Sequence, residues 1–273
     1  MSEYIKGSDS NGEDKAVSVN KGNQFSVSDP LLEISFERVS GYETITIEGE
    51  NMSIASLAPS DIWSHTGELQ YLSIAETMNI SSTVAEDTIA GIGMRTILIS
   101  GLDDNYNQIS ETVEMNGTTD VLTNNAYLRV YSITGVDSGA ELKNVGIISV
   151  ISSSSVTVQS IMPVGMSVSK NSHFTVPAGK QFVIVGAELN ATKLSGGVAP
   201  IIIINALFRS DAIGAPWISA VNRRIDTSVV DQLIIGQPIS NLLDEKHDLR
   251  FFANTDQNDT EVRIRYYGVL NDK

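Results

Sequence analysis

The residues closest to a ligand-binding pattern form an acidic loop in the first half of the chain. The loop of residues 103–107 carries side-chain oxygens at the alternate positions Asp103, Asn105 and Asn107, and Glu114 follows eleven residues after Asp103. This spacing is similar to that of an EF-hand calcium loop. The glycine that such a loop needs at its sixth position is replaced by Gln108, and both flanks have strand patterns rather than helical ones. We therefore favour an Asx-rich turn between two strands, with no metal bound.

Other reactive groups do not occur at informative spacings. His65, His173 and His247 are far apart in the sequence, and there is no HExxH, Walker or GxSxG motif. The glycines Gly91 and Gly93 form too short a segment for a dinucleotide loop. With 33 acidic residues, a pair of carboxylates that hydrolyses polysaccharide stays open, although spacing alone does not identify one. We predict a non-enzymatic protein with no catalytic, cofactor-binding or metal-binding residues.

Aromatic residues offer a second kind of site. Trp63, Trp217, Tyr266 and Tyr267 could form a platform on which a sugar ring stacks. Only 6% of the chain is aromatic, so we favour core or interface packing for most of these four side chains. A platform for host-surface glycans stays as the alternative.

Composition limits the partners. The 273 residues carry a formal net charge of -15 and include no cysteine, which excludes disulfides and thiolate metal sites. A polyanion repels nucleic acid and acidic membranes unless basic residues cluster. The densest basic spots, Arg223–Arg224 and Arg263 with Arg265, are small, so we expect no direct nucleic-acid binding. The longest apolar run, residues 199–208, is too short to cross a membrane and predicts a buried strand.

Hydrophobic periodicity predicts an all-β fold. Residues 1–29 are polar and predict a flexible N-terminal arm. From Leu31 onward, Leu32, Ile34 and Phe36 alternate with polar residues, which predicts a half-buried strand. The same reasoning predicts strands at residues 43–50, 69–74, 95–100, 109–115, 127–134, 145–151, 156–161, 201–208, 217–222, 249–253 and 262–269.

Turn signals divide these strands. Asn116–Gly117 predicts a hairpin, because both residue types tolerate positive φ, and Pro177, Ala178 and Gly179 predict a turn between two strands. A change in pattern near residues 163–170 suggests a boundary. We predict two antiparallel β-sandwich or jelly-roll-like domains, residues 30–165 and 166–273, after the arm of residues 1–29.

Several segments resemble those of tailed-bacteriophage virion proteins. The pattern D-T-x-A-G-x-G-x-R-T lies at residues 87–96, followed by a Gly-Leu-Asp turn at 101–103, S-E-T-V at 110–113 and N-G-T-T at 116–119. Further matching segments are D-I-W at 61–63, Y-L-R-V at 127–130, N-V-G at 144–146, F-T-V-P-A-G-K at 174–180 and D-L-R at 248–250. The resemblance covers residues 59–273 and leaves out the arm.

The resemblance implies a structural place in the virion and no catalytic residues. We therefore expect a symmetric homo-oligomer that docks on capsid, neck or tail proteins of the particle, without contact with nucleic acid or membrane. The glycines and asparagines of the motifs suit turns, and Arg95 and Glu111 are candidate cross-strand or inter-subunit charge partners. The alternative is an adhesin at a short fibre tip or knob that binds host-surface glycans.

Overall fold

The structure is a computed structural model that describes residues 5–8, 14–17, 30–212, 214–229, 232–235 and 242–273. It is nearly all β, with 53% strand and 2% helix, and its sheets are antiparallel. The predicted all-β class is therefore confirmed. Among the described residues, no helix is long and apolar enough to cross a membrane.

The elements of the described segments follow in chain order. They are β1 (Ile5–Ser8), β2 (Asp14–Val17), α1 (Pro30–Ser35), β3 (Tyr42–Ile54), β4 (Ser60–Asp61), β5 (Met78–Ser82), β6 (Met94–Leu102), β7 (Gln108–Glu114), β8 (Val121–Leu122), β9 (Arg129–Ser138), β10 (Ile148–Ser152), β11 (Val158–Met162), β12 (Phe174–Thr175), β13 (Lys180–Lys193), β14 (Ile201–Arg209), β15 (Ile218–Asp226), β16 (Gln232–Ile235), β17 (Asp248–Thr255) and β18 (Thr260–Asp272).

The chain divides into two compact units, residues 1–44 and 45–273. In the first unit, β1 and β2 form a two-stranded antiparallel sheet. The rest of the predicted arm, apart from these two strands, lies outside the described residues. The predicted limits at residues 29/30 and 165/166 stay predictions.

One predicted strand is a helix. The segment that begins at Leu31 forms α1 and ends in a turn, and Phe36 is largely exposed rather than half-buried. Proline suits the first turn of a helix because its fixed φ is helical and its missing N–H has no partner there. Ser35 Oγ also donates to Leu31 O at 2.8 Å, one turn back. A short apolar alternation fits both periodicities, and Pro30 favours the helix.

The second unit holds four sheets. Their strand orders are β11-β10-β5-β8, β12-β17-β14-β15 with β4 paired to β17, β16-β13-β18-β3, and β7-β6-β9. A long antiparallel pairing joins β13 to β18, from Lys180↔Asp272 to Lys193↔Thr260. Alternation along each strand sends one set of side chains inward: Ile148 and Val150 of β10 are fully buried, whereas Ser149 between them is not.

Two hydrophobic cores result from this alternation. One is built from residues 72–162, including Met78, Ile97, Ile133 and Val150. The other is built mainly from residues 174–270 but also contains Ile54 and Ile62, which arrive from β3 and from the end of β4. The members of this second core include Phe174, Phe182, Ile202, Ile204, Leu249, Phe251, Ile264 and Tyr266.

Two local predictions need correction. Residues 69–74 are not a strand, because 69–72 have no regular structure and 73–74 form a bend. Asn116–Gly117 is not a hairpin turn: Gly117 has φ of 61°, but Asn116 bridges to Thr88, and β7 and β8 belong to different sheets. The turn predicted at Pro177, Ala178 and Gly179 is confirmed, with Lys180 N donating to Pro177 O at 3.2 Å, and the two strands that it joins, β12 and β13, belong to different sheets. Turn chemistry fixes the local bend but not the partner of the next strand.

Candidate functional site

The acidic loop closes on itself instead of surrounding an ion. Asp103 Oδ1 accepts the backbone N–H groups of Asn105 and Asn107, both at 2.8 Å, and its Oδ2 accepts the Asn107 amide at 3.0 Å. Burial would raise the pKa of Asp103, but these hydrogen bonds outweigh it and hold that pKa below its usual value. The arrangement is an Asx turn between β6 and β7. Within the described segments, no group of three or more His, Asp or Glu side chains is placed to hold a metal ion.

Two of the three histidines lie on one tryptophan. The rings of His65 and His173 contact Trp63 edge-on, with centroid distances of 5.1 and 5.5 Å. Burial lowers the pKa of His65. His173 is buried, and its Nε2 lies 3.1 Å from Asp61 Oδ2. His247 lies elsewhere, with Nδ1 3.0 Å from the Asp244 carbonyl oxygen.

The four candidate platform aromatics do not share an exposed surface. Trp63 is 2% exposed and donates from Nε1 to Gly67 O, and Tyr266 is fully buried and donates to Ser172 O at 2.9 Å. Tyr267 points the other way from Tyr266 on β18, which places it against Gly186. Core packing is therefore confirmed for Trp63 and Tyr266.

Arg95 and Glu111 are not cross-strand partners. In the β6–β7 register, Glu111 lies opposite Ile99, four residues from Arg95. Arg95 Nε donates to Gly91 O at 3.1 Å, and the Glu111 carboxylate accepts the backbone N–H groups of Asn124 and Asn125. A charge pair would have needed adjacent register positions.

The aspartate that begins the phage-like motif is a structural centre. Asp87 is fully buried, and its carboxylate accepts four hydrogen bonds of 2.7 to 2.9 Å. The donors are the hydroxyl of Ser82 and the backbone N–H groups of Met94, Val145 and Gly146. One side chain thus fixes the ends of β5 and β6 and the segment before β10, because each donor would otherwise be buried without a partner.

Gly91 and Gly93 of the motif lie so close to other atoms that a side chain would not fit at either position. A Cβ on Gly91 would lie 2.0 Å from the Glu86 carbonyl oxygen, and one on Gly93 would lie 2.1 Å from Asp87 Oδ1. Neither distance is possible for a real side chain. The glycines therefore let the chain fold around the Asp87 carboxylate, and they do not cradle a phosphate.

A stack of guanidinium groups and rings occupies the region where the two cores meet. This arginine–aromatic ladder consists, in spatial order, of Arg129, Tyr71, Arg209, Trp217, Arg250 and Phe252. The guanidinium carbons of Arg129 and Arg209 lie 4.8 and 4.6 Å from the Tyr71 centroid. Those of Arg209 and Arg250 lie 4.6 and 4.5 Å from the Trp217 centroid, and Phe252 is 5.7 Å from Arg250. Each contact contributes about 0.5–2 kcal/mol, depending on desolvation.

Two buried aspartates and one glutamate balance the charges of the three arginines in the ladder. Asp248 accepts Arg129 Nε at 3.0 Å, Arg129 Nη2 at 3.1 Å, Arg209 Nε at 3.0 Å and the hydroxyl of Thr175 at 2.6 Å. Asp61 lies 3.6 Å from Arg250, which also reaches Glu68 at 2.8 Å. Since Arg129 begins β9 and Asp248 begins β17, this contact ties one core to the other.

The ladder is built for structure rather than proton transfer. Burial would lower the pKa of Arg129, but the charge and hydrogen bonds of Asp248 raise it instead. Burial raises the pKa of the Tyr71 phenol well above its usual range, with help from the nearby charges of Asp248 and Asp61. Arg129 therefore stays charged and Tyr71 stays neutral at any physiological pH.

The motif segments of the phage resemblance coincide with these connectors. D-I-W contains Asp61, Y-L-R-V contains Arg129, and D-L-R contains Asp248 and Arg250. N-V-G contains Asn144, which is fully buried and bonds Gly146 O, Pro163 O and Ser167 N. Several residues that match the resemblance therefore join segments distant in the sequence.

A charged groove of about 360 Å³ lies on the face of the β13-β18-β3 sheet. Glu48 is bonded there by Lys170 and by Arg265, whose Nε is 2.6 Å away, and Arg263 lies 3.0 Å from Glu50. The hydrogen bond from Lys170, opposed by burial and aided by Arg265, lowers the pKa of Glu48. Other lining residues are Met166, Glu188 and Asn190.

Three turn tips carry an exposed aliphatic side chain on a left-handed backbone. Leu57 has φ of 56° and is 78% exposed, Leu142 has φ of 56° and is 81% exposed, and Val156 has φ of 53° and is 73% exposed. Bulky residues rarely adopt positive φ, and β-branched residues least of all. Sequence patterns did not predict these tips, because hydrophobic periodicity carries no information about the φ angles of turn residues.

Comparison with known proteins adds little to this geometry. No protein-family description matches the chain. No curated protein matches it either. Among solved structures, the chain is similar to the infectious bursal disease virus VP2 subviral particle, with 7% identity, 86% of this chain and 72% of that chain covered, and a TM-score of 0.22. For the structure of the Gt strain of the same virus, the identity is 8%, 89% of this chain and 78% of that chain are covered, and the TM-score is 0.21. TM-scores this low do not indicate a common fold, and the proposals below rest on the residues of this chain.

Proposed function

We propose that the protein is a non-enzymatic structural component of a bacteriophage virion, where it forms a symmetric homo-oligomer on capsid, neck or tail proteins. The motif resemblance supports the virion as the setting. The motifs include Asp61, Asp87, Arg129 and Asp248, which are buried and connect distant segments. The all-β fold and the acidic charge suit a soluble subunit that packs against neighbours.

The observation that carries the proposal is the set of three aliphatic turn tips, Leu57, Leu142 and Val156. A left-handed backbone costs a residue with a Cβ about 1–2 kcal/mol, and asparagine or glycine would suit these turns better. An exposed aliphatic side chain adds nothing to the stability of an isolated subunit. Burial against a neighbour would return about 1.5–3 kcal/mol for each fully buried side chain. A subunit surrounded by neighbours therefore explains both the strain and the exposure.

The fate of the acidic side chains supports a non-enzymatic role. The carboxylates of Asp87, Asp103 and Asp248 accept three to four hydrogen bonds each from the protein itself. A general base or nucleophile needs a free lone pair directed at the substrate. These groups are committed to holding turns and strands.

The first experiment separates assembly from folding. The variant Leu57→Asn/Leu142→Asn/Val156→Asn replaces three strained residues by one that tolerates positive φ. We expect its free energy of unfolding to equal or exceed that of the unmodified chain, whereas its self-association, followed by sedimentation velocity, should be lost. The matched control is Ile74→Asn/Leu194→Asn/Val198→Asn, at exposed apolar positions without positive φ. If the unmodified chain, the triple variant and the control associate equally, the three turn tips do not mediate association, and the proposal loses the observation on which it depends.

The second experiment concerns the particle. Gold labelling of purified tailed phage that encodes the chain should place the protein at symmetry-related positions on the virion, and the triple asparagine variant should be absent from particles. A glycan-array screen covers the adhesin alternative. Reproducible glycan binding by the purified chain, together with its absence from capsid, neck and tail, would replace the structural role by a receptor-binding one.

A further inference from the structure

Strand β15 forms an open edge of its sheet. In the order β12-β17-β14-β15 it stands at the end, and among the described strands only β14 pairs with it, from Ile218↔Phe208 to Asp226↔Ile201. Every second N–H and C=O group along its nine residues therefore points away from the sheet. Such an edge is a ready template for an added strand.

Two arginines flank this edge from opposite faces. Arg223 and Arg224 are both exposed, and successive side chains of a strand point to opposite sides. Ile225, which is 3% exposed, fixes which side faces the core. Within the described part of the chain, neither guanidinium lies within 4.0 Å of a carboxylate, and Arg223 donates only to the adjacent Asn222 carbonyl oxygen at 3.1 Å.

Most of the other arginines contact a carboxylate, in a chain with 33 acidic and 18 basic residues. Arg95 donates to the Gly91 carbonyl oxygen, and those with a carboxylate contact are Arg38, Arg129, Arg209, Arg250, Arg263 and Arg265. The other long edge strands carry acidic side chains, such as Glu111 and Glu114 on β7. Two adjacent, exposed guanidinium groups thus lie at the β15 edge without an ion pair within 4.0 Å among the described residues, and the charge of Arg224 acts on Asp226 of the same strand.

We propose that the β15 edge binds an extended acidic segment of a different polypeptide by strand addition. The main chain of that segment would continue the sheet, and its acidic side chains on both faces would meet Arg223 and Arg224. The exposed apolar side chain of Ile218, on the same strand, would contact one of its aliphatic residues. A second copy of β15 is not the occupant, because two such edges would bring four arginines together. This inference goes beyond the proposed function and does not depend on it.

The probe is a fluorescein-labelled nine-residue peptide in which pairs of glutamates alternate with valine and threonine. Its fluorescence anisotropy with the full chain should give a dissociation constant on the order of 100 μM or tighter. The variant Arg223→Glu/Arg224→Glu should weaken binding at least tenfold, whereas Lys143→Glu, an exposed lysine outside the sheet, should leave it unchanged. A peptide with lysine in place of glutamate should not bind.

Backbone methylation distinguishes strand addition from simple charge attraction. Two further peptides carry N-methyl groups on one or the other set of alternating residues, which leaves their charge unchanged. Strand addition predicts at least tenfold weaker binding for one set and near-normal binding for the other, because only one set faces β15. Equal binding of both methylated peptides, no binding of the unmodified peptide, or indifference to the arginine reversals would each overturn the proposal. None of these results depends on whether the protein is found in virions.

Discussion

Asp87 and Asp248 are both buried carboxylates with four hydrogen bonds, but their donors differ in kind. Asp87 is bonded by three backbone N–H groups and one hydroxyl, all between residues 82 and 146. Asp248 is bonded by the side chains of Arg129, Arg209 and Thr175, which come from three other strands or their ends. The first site organises loops around one core, and the second joins that core to the other.

The two sites differ in which substitutions should preserve the stability of the protein. Backbone donors at Asp87 are present whatever the neighbouring sequence, so only the aspartate itself can satisfy them. The donors at Asp248 are side chains, and a buried ion pair can be exchanged for apolar residues of similar volume. The Asp87 site should therefore be irreplaceable one residue at a time, whereas the Asp248 site should accept a coordinated change.

The largest expected effect is that of Asp87→Ala. It leaves four donors without an acceptor, three of them in buried hydrogen bonds and one, Val145 N–H, in a partly buried one, and each buried donor costs about 1–3 kcal/mol. We expect the free energy of unfolding, measured by urea denaturation, to fall by about 4 kcal/mol or more. The control Asp104→Ala removes an exposed carboxylate with one backbone bond, to Ala75 N at 3.1 Å, and should cost less than about 1 kcal/mol. Similar losses for the two variants would show that the Asp87 bonds are weak.

Next in size is Asp248→Leu, which leaves the Arg129 guanidinium buried without its counter-charge and should cost about 3–5 kcal/mol. The double variant Asp248→Leu/Arg129→Met should recover at least half of that loss in the same urea measurement. Arg209 can turn to solvent, because its side chain is 27% exposed. A double variant as unstable as the sum of its single changes would contradict the distinction between the two sites.

A smaller effect is expected at the glycine that makes room for Asp87. In Gly93→Ala the new Cβ would meet Asp87 Oδ1, so the carboxylate must shift and its bonds to Met94 and Val145 lengthen. We expect a loss of about 2 kcal/mol. The matched control is Gly196→Ala, where nothing lies within 4 Å and φ is not positive. If Gly93→Ala unfolds at the same urea concentration as the control, the loop around Asp87 is more adaptable than its packing indicates.

The sequence predicted the strands well and their partners poorly. The apolar run of residues 199–208 located β14, and alternation located β18 because that strand has one buried face. It missed α1, where a few apolar residues after Pro30 fit two periodicities. The motifs led to the neighbourhood of Asp87 and Asp248, but their roles depend on contacts 58 and 119 residues away in sequence. The arginine–aromatic ladder was not foreseen, because its residues come from segments far apart in the sequence and periodicity does not show which strands meet.

The smallest effect is expected for the ion pairs of Glu48, which are open to water, in contrast to the buried ion pairs of Asp248. Lys170 and Arg265 hold the pKa of Glu48 below its usual value of 4.5. A lowered pKa in the folded state means that the stabilisation is present above about pH 4.5 and is lost as pH falls through the folded-state pKa. Glu48→Gln should therefore cost less than about 1 kcal/mol at pH 7, and the difference from the unmodified chain should vanish in acid. The control Glu114→Gln, at an exposed residue at the end of β7, should change the free energy of unfolding at pH 7 by less than about 0.5 kcal/mol. If Glu48→Gln instead costs as much as Asp248→Leu, the charged groove connects strands as strongly as the buried ladder, and the contrast between surface and interior pairs fails.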